Sequence, residues 1–201
     1  MQYKKFITLA LSALLLLGSS KTWAQSVGLT LGVGSYAAKQ ENSSGNAIPT
    51  EGSLYKTVGL HTEFSLGKGL IPLTFSVDQF EARMDANAVQ SVTARANTVK
   101  VGTGYTLLFA DNQSKKQPFL GVGIDAEVYN NATFRYTDEQ QGNLLWHNNA
   151  YANALAGVRF SKGDVRFDVF AKYAVGLANR IDNGTYTDQT FTIGTRMLIN
   201  P

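Results

Sequence analysis

The chain has 201 residues, no cysteine and four prolines, and its 18 lysines and arginines slightly outnumber its 15 aspartates and glutamates. The lack of cysteine excludes disulfides, thiolate metal sites and a lipid-modified N-terminal cysteine. No basic run is longer than Lys115-Lys116, which excludes the extended positive surface typical of nucleic-acid binding.

Residues 1–24 have the organisation of a secretory signal peptide. A lysine pair precedes an apolar run from Phe6 to Leu17, and Thr22-Trp23-Ala24 forms a small-x-small cleavage site. The run is shorter than the roughly 20 apolar residues of a spanning helix, although an uncleaved anchor is the alternative. Cleavage before Gln25 would remove three lysines, and 18 minus 3 leaves 15 basic against 15 acidic residues. The predicted mature chain, residues 25–201, is therefore neutral and long enough for one domain.

Eight segments of the predicted mature chain alternate between apolar and polar residues, as strands with two different faces do. In Pro118–Tyr129, one face carries only apolar residues and the other carries Gly121, Gly123, Asp125 and Glu127. No helical period follows the signal peptide. The predicted strands are Val27–Ser35, Val58–Leu66, Ile71–Asp78, Val99–Leu107, Pro118–Tyr129, Ala150–Phe160, Val165–Val175 and Phe191–Ile199.

The connections between these strands alternate in length. Residues 67–70 and 161–164 are tight turns, 109–117 is of middling length, and the other connections are longer. Outer-membrane barrels have short turns on the periplasmic side and long loops outside. The pattern predicts an all-β protein, an eight-stranded antiparallel transmembrane β-barrel with both chain ends in the periplasm.

The apolar faces of the predicted strands carry no charged residue, as a lipid-facing surface requires, because a mid-membrane Arg or Lys would cost about 2 to 4 kcal/mol. Aromatic residues near the strand ends of these faces are expected to form the interfacial girdles. They are Phe64, Tyr105, Phe160, Phe167, Tyr173 and Phe191.

The polar faces favour a membrane barrel over a soluble lipocalin-like barrel, which would turn its apolar face inward around a ligand. Ten glycines lie on the polar side, and eight strands leave an interior just wide enough for side chains. Five acids and five bases share that side, and buried charges require partners, so we expect a plugged lumen and not a water channel. The predicted lumen network contains His61, Glu63, Asp78, Lys100, Asp125, Glu127, Arg159, Arg166, Asp168, Lys172 and Arg196.

With these faces assigned, the chain resembles the small eight-stranded outer-membrane barrels of the OmpA/OmpX type. Its Gly-rich first strand after a signal peptide also resembles the outer-membrane β-barrel-domain proteins of Bacteroidetes. The resemblance covers the whole mature chain and implies a Gram-negative outer-membrane location with lipid as the main contact. It departs from many such barrels at the end of the chain, where Ile199-Asn200-Pro201 replaces a terminal aromatic residue.

Catalytic and cofactor sites find little support in the sequence. His61 and Glu63 could activate Ser65 or Ser76 in a lipid A-modifying enzyme, but their inward position favours the charge network. Neither His61 nor His147 has a second ligand at zinc spacing. The G-x-G pairs lie inside strands with no following helix, so they predict no nucleotide site. We expect no cofactor, no metal and no catalytic residue.

An interaction role is therefore expected to reside in the long connections, through contact with an envelope protein complex or a surface ligand. The first, 38–54, is rich in Ser, Asn and Gly, which favours mobility. The third, 130–146, contains enough apolar and aromatic area to anchor a partner. Its candidate contact residues are Phe134, Tyr136, Leu145 and Trp146.

Overall fold

The computed structural model describes residues 26–41, 44–48, 50–85, 91–109, 115–136, 141–144, 146–182 and 185–199. The predicted signal peptide lies outside these residues. None of the described segments is a helix long and apolar enough to cross a membrane. Eight long strands form a barrel: β1 (Ser26–Glu41), β2 (Ser53–Leu66), β3 (Gly69–Asp85), β4 (Ser91–Leu108), β5 (Lys116–Tyr136), β6 (Ala150–Lys162), β7 (Val165–Gly176) and β8 (Thr185–Ile199).

The barrel closes because each strand pairs antiparallel with the next, and β8 pairs with β1. Following the paired residues once around from Val27 leads back to β1 at Ala37, ten residues further along. With strands about 4.8 Å apart and a rise of about 3.3 Å per residue, this offset gives a strand tilt of about 40°. The predicted fold class is confirmed, and each predicted strand lies within an observed strand.

The strands run beyond their predicted bounds at one end of the barrel, which we call the loop end. There β3, β4 and β5 extend to Asp85, Ser91 and Tyr136. Short strands add to this extension: Ala47–Ile48 on β1, Thr50–Glu51 on β3 and Gln141–Leu144 on β5. The opposite end, the turn end, contains the tight turns at Gly67 and Gly163, both with positive φ.

A β-bulge in β5 changes which side chains face inward. Val99 pairs with Tyr129 but Lys100 pairs with Glu127, so Val128 has no partner of its own. Val128 and Tyr129 are consequently both exposed, at 44% and 37%. Because one extra residue reverses the alternation, the inward positions of β5 change from odd to even numbers, and Ala132 is buried.

The outer surface of the barrel is a continuous apolar band. Along β5 it runs from Leu120 to Val128, which at a 40° tilt spans about 20 Å, close to the roughly 25 Å expected for a membrane. The aromatic rows are placed as predicted, with Phe167 beside Phe160 toward the turn end and Tyr173 beside Phe191 toward the loop end. A lipocalin-like arrangement is excluded because this apolar face is outside.

Candidate functional site: the sealed lumen and its cap

The lumen of the barrel has room for large side chains because glycines lie opposite them. A Cβ on Gly194 would approach the Phe170 ring to 2.6 Å, and one on Gly102 would collide with the Asp125 carboxylate. The inward glycines thus make space for bulky and charged side chains on the neighbouring strands.

The first charge layer, toward the turn end, centres on Arg159. Its Nη2 donates to Glu63 Oε1 at 2.6 Å, and its Nε donates to Asp168 Oδ1 at 2.8 Å. Arg196 approaches the same two carboxylates at 3.5 and 3.4 Å. Arg159 and Glu63 are each only 1% exposed, so this layer closes the lumen. We call Glu63, Arg159, Asp168 and Arg196 the turn-end plug.

Between the turn-end plug and the tight turns, the inward side chains are apolar. They are Leu70, Phe119 and Leu198, all buried. The plug itself is not fully satisfied, since Arg159 Nη1 and Arg196 Nε have no hydrogen-bond partner among the described residues. An unpaired buried donor costs about 1 to 3 kcal/mol. These ions therefore seal the lumen at some cost in stability.

A cavity of about 80 Å³ lies in the middle of the lumen. Lys172 donates to Asp125 there at 2.5 Å, and Asn153 donates to the same carboxylate oxygen at 2.9 Å. Because one water needs about 10 to 15 Å³ of such space, the cavity has room for a few waters but not for a lipid or a drug-sized ligand.

The second charge layer, at the loop end, centres on Arg180, which is fully buried although it lies in the connection between β7 and β8. Its guanidinium binds Glu127 through both terminal nitrogens, at 2.6 and 2.9 Å. Its Nε donates to Asp188 at 2.7 Å. Burial opposes the charge, but Tyr151, Glu127 and Asp188 together raise the pKa of Arg180 above its ordinary value, so it is a permanent cation.

The same layer joins two separate connections of the chain. Arg180 also donates to the carbonyl of His147, whose amide donates back to the Arg180 carbonyl at 3.0 Å. Asn149 bonds both Glu127 and Asp188. Residues 146–149 and 177–182 are thus held together over the barrel mouth, and we call them the cap segments.

Aromatic rings cover Arg180 on the outer side of this layer. Tyr36 stacks on Phe80 with ring centroids 4.0 Å apart, and Trp146 lies 6.1 Å from Phe80 and 5.1 Å from Tyr186. The guanidinium carbon is 5.3 Å from the Trp146 ring, within cation–π range. Among the described residues, a packed aromatic core therefore closes the mouth.

The predicted lumen residues line the barrel interior, where their ion pairs form three groups. The turn-end plug residues pair with one another and with His61, Lys172 pairs with Asp125, and Lys100 pairs with Asp78 and Glu127. All are buried except Arg166 and Lys172, which are half-buried. The prediction did not include Arg180 or Asp188. Asp188 follows the inward alternation of β8 from Thr190 and Thr192, so a longer strand would have included it. Arg180 lies outside every strand, and no sequence period points to it.

The predicted interaction residues have different positions. Trp146 is 9% exposed in the aromatic cluster, so it packs inside the protein and offers little surface to a partner. Phe134 is half-buried, with its ring next to Gly142. Leu145 and the Tyr136 side chain lie outside what the structure describes. A recognition role for this connection stays a prediction.

A hydrolase site at His61 finds no geometric support. His61 Nε2 lies 3.0 Å from Glu63 Oε1, and its Nδ1 has no partner among the described residues. The ring is 1% exposed and faces the lumen, away from lipid. Among the described residues no group of three potential ligands could hold a metal ion.

The closed eight-stranded sheet, apolar exterior and charged lumen define a small transmembrane β-barrel of the outer-membrane type. The predicted resemblance to OmpA/OmpX-type barrels is confirmed at this level. The resemblance to Bacteroidetes barrel-domain proteins stays a prediction.

No protein-family model matches the chain, and no curated protein matches it. Among solved structures it is similar to Neisserial surface protein A, with 14% identity over 86% of this chain and 97% of that one, at a TM-score of 0.46. It is similar to Ail, the attachment invasion locus protein of Yersinia pestis, with 10% identity over 88% of this chain and 99% of that one, at a TM-score of 0.43. A third similar structure is the N-terminal β-barrel domain of Pseudomonas aeruginosa OprF, with 13% identity over 89% of this chain and 100% of that one, at a TM-score of 0.43. Similarity at this level carries no conclusion about function.

Proposed function

We propose that this chain is a non-conducting outer-membrane barrel of a Gram-negative bacterium that presents a rigid surface at its loop end for contact with an envelope complex or a surface ligand. The observation that carries the proposal is the sealed lumen. The barrel wall contacts lipid, and the charged lumen side chains pair mainly with one another across a closed interior, so only the loop end remains for recognition.

The orientation follows the rule that short turns face the periplasm and long connections face outward. The loop end is then extracellular, and residues 1–24 are a signal peptide that directs export. A lipid A-modifying enzyme is the less supported alternative, because His61 and Glu63 face the lumen and Glu63 is held by Arg159.

The surface offered at the loop end includes the exposed side of the cap segments. His147 Nε2 lies 2.8 Å from Asp182 Oδ1, and their side chains are 55% and 83% exposed. Leu177, in the same cap segment as Asp182, is 62% exposed. Because Arg180 fixes these segments from below, a partner would meet a preorganised surface, with less entropy to lose on binding.

The first prediction concerns conduction. In planar lipid bilayers the purified protein is expected to show no stable single-channel current at neutral pH, because the turn-end plug and the Arg180 layer each close the lumen. A protein preparation with the heat-dependent gel shift of a folded barrel provides the necessary control. Large, steady currents from that folded preparation would contradict the proposal.

The second prediction tests recognition in intact cells. A photo-crosslinking amino acid at position 147 is expected to give discrete protein or glycan adducts, because His147 is exposed on the cap segments. The same amino acid at position 122 is the matched control, since Val122 is 64% exposed on the apolar band and should give only lipid adducts. Lipid adducts alone at both positions would argue against a loop-end partner.

Mass spectrometry of lipid A with and without the protein tests the enzyme alternative.

A further inference from the structure

The outer surface of the barrel changes from apolar to polar within one step on four neighbouring strands, β2 to β5. The last row of apolar and aromatic side chains runs directly across these strands from Val58 to Tyr129. Two residues further toward the loop end, every position is polar and exposed. We call this next row the amide row, and its members are Lys56, Gln79, Asn97 and Asn131.

The amide row has unused hydrogen-bonding capacity. Gln79 Nε2 donates to Asn97 Oδ1 at 3.2 Å, which leaves the Asn97 amide nitrogen and the Gln79 side-chain oxygen available. Within the part of the chain that the structure describes, the Asn131 amide has no hydrogen-bond partner and Lys56 has no ion-pair partner. Side-chain amides both donate and accept, so the row suits hydroxyl groups, which do the same.

Two further rows of polar side chains continue this sheet face on β3 and β4. In the second row, Arg95 and Glu81 are 2.7 Å apart, with side chains 67% and 46% exposed. In the third row, Arg83 is 55% exposed and lies 3.7 Å from Glu51. β2 does not contribute to these rows, because Leu54 follows the amide row there. The upper part of the face is therefore hydrophilic, with an acid beside each of these two arginines.

The height of this face decides which lipid head group fits it. Successive rows are two residues apart, which at the 40° tilt is a rise of about 5 Å, so the third row lies about 10 Å above the amide row. A phospholipid head group occupies an interfacial layer of only about 5 to 8 Å. It would leave the third row uncovered, whereas an oligosaccharide head group is tall enough to contact all three rows.

The other four strands do not present the same surface. β6 and β7 end at Ala150 and Gly176, so no sheet face rises above the apolar band there. On β1, Lys39 has an acidic partner at 2.8 Å. On β8, Gln189 Oε1 accepts a hydrogen bond from a tyrosine hydroxyl at 2.5 Å. Among the described residues of these strands, the amide row thus has no counterpart.

We propose that the outer face of β2 to β5 above the apolar band binds the oligosaccharide head group of a glycolipid. The acyl chains of this lipid cover the row from Val58 to Tyr129, because the polar face is continuous with the lipid-facing band. Lys56, at the boundary, contacts a phosphate beside the acyl chains, and the Asn97 and Asn131 amides bond sugar hydroxyls. That the lipid belongs to the outer leaflet rests on the proposed orientation of the barrel.

Native mass spectrometry of the detergent-solubilised full chain tests the site with two probes, lipid A and the same lipid A carrying its core oligosaccharide. The protein is expected to retain the oligosaccharide-bearing lipid about tenfold more strongly than lipid A alone, because several exposed hydrogen bonds depend on the sugars. Asn97→Ala combined with Asn131→Ala, a directly opposed pair, should remove most of this preference. Lys56→Gln should weaken the retention of both lipids about threefold.

The matched control is Thr187→Ala combined with Gln189→Ala, which removes two exposed polar side chains from the outer face of β8. This variant should retain both lipids as the unmodified protein does. The heat-dependent gel shift establishes that each variant is folded.

Equal retention of the two lipids by the unmodified protein would overturn the proposal. So would an unchanged preference in the Asn97→Ala, Asn131→Ala variant, or an equal loss in the β8 control. Displacement of the oligosaccharide-bearing lipid by an equal concentration of phosphatidylglycerol would also overturn it. Conduction and position-147 crosslinking are measured separately, so failure of the lipid site is distinguishable from failure of the proposed function.

Discussion

Replacement of Arg159 by methionine is expected to destabilise the folded barrel by about 3 kcal/mol, near the lower end of the range for breaking a buried ion pair. Arg159 binds both Glu63 and Asp168 at 1% exposure or less, so its loss leaves two buried carboxylates. Arg196 stays 3.4 to 3.5 Å from both and limits the cost. Urea unfolding in lipid vesicles, followed by tryptophan fluorescence and gel mobility, measures the change.

Arg95→Met is the matched control, since it breaks an ion pair of similar length on the exterior. Arg95 and Glu81 are 2.7 Å apart, but their side chains are 67% and 46% exposed. Such pairs contribute about 0 to 1 kcal/mol, so the free energy of unfolding of Arg95→Met should be close to that of the unmodified protein. Equal shifts for both variants would mean that the turn-end plug does not hold the barrel together.

The barrel is predictable from the sequence because its constraints are local. Each strand meets lipid on one side and a crowded lumen on the other, so the period-two pattern also assigns inside and outside. Gly102 and Asp125 illustrate this, since the predicted small residue lies opposite the predicted charge. In a lumen this narrow, an inward charged side chain lies close to other inward side chains and needs one of opposite charge as a partner. The period-two alternation therefore also predicts the turn-end plug.

The loop end is less predictable because period-two alternation does not describe it. Val128 looks like one more apolar strand residue, yet the bulge at that position reverses the inward face of β5 beyond it. The aromatic content of the 130–146 connection suggests that Trp146 is exposed for binding, but its ring stacks in the aromatic cluster. Its burial depends on Phe80 and Tyr186, which are distant in sequence, so only the folded barrel reveals it.

Arg180→Ala is expected to open the loop end of the lumen to small reagents, because Arg180 joins the cap segments and neutralises Glu127 and Asp188. The chain has no cysteine, so a single Cys at position 174 reports access to the central cavity, which Ala174 lines while only 4% exposed. Losing a buried partner costs about 3 to 5 kcal/mol, enough to raise labelling by a cationic thiol reagent roughly a hundredfold or more.

Arg83→Ala in the same Ala174→Cys background provides the control, since Arg83 is 55% exposed and its pair with Glu51 lies outside the cap segments. Its labelling rate should equal that of Ala174→Cys alone. Arg180→Lys tests whether the positive charge alone closes the mouth or whether the guanidinium contacts are needed. A lysine ammonium group can neutralise a carboxylate, but it cannot make the bidentate contact with Glu127 and the contact with Asp188 at the same time. We therefore expect an intermediate rate. If Arg180→Ala labels no faster than the control, the mouth is closed by the Tyr36, Phe80 and Trp146 rings, and Arg180 only fills the space beneath them.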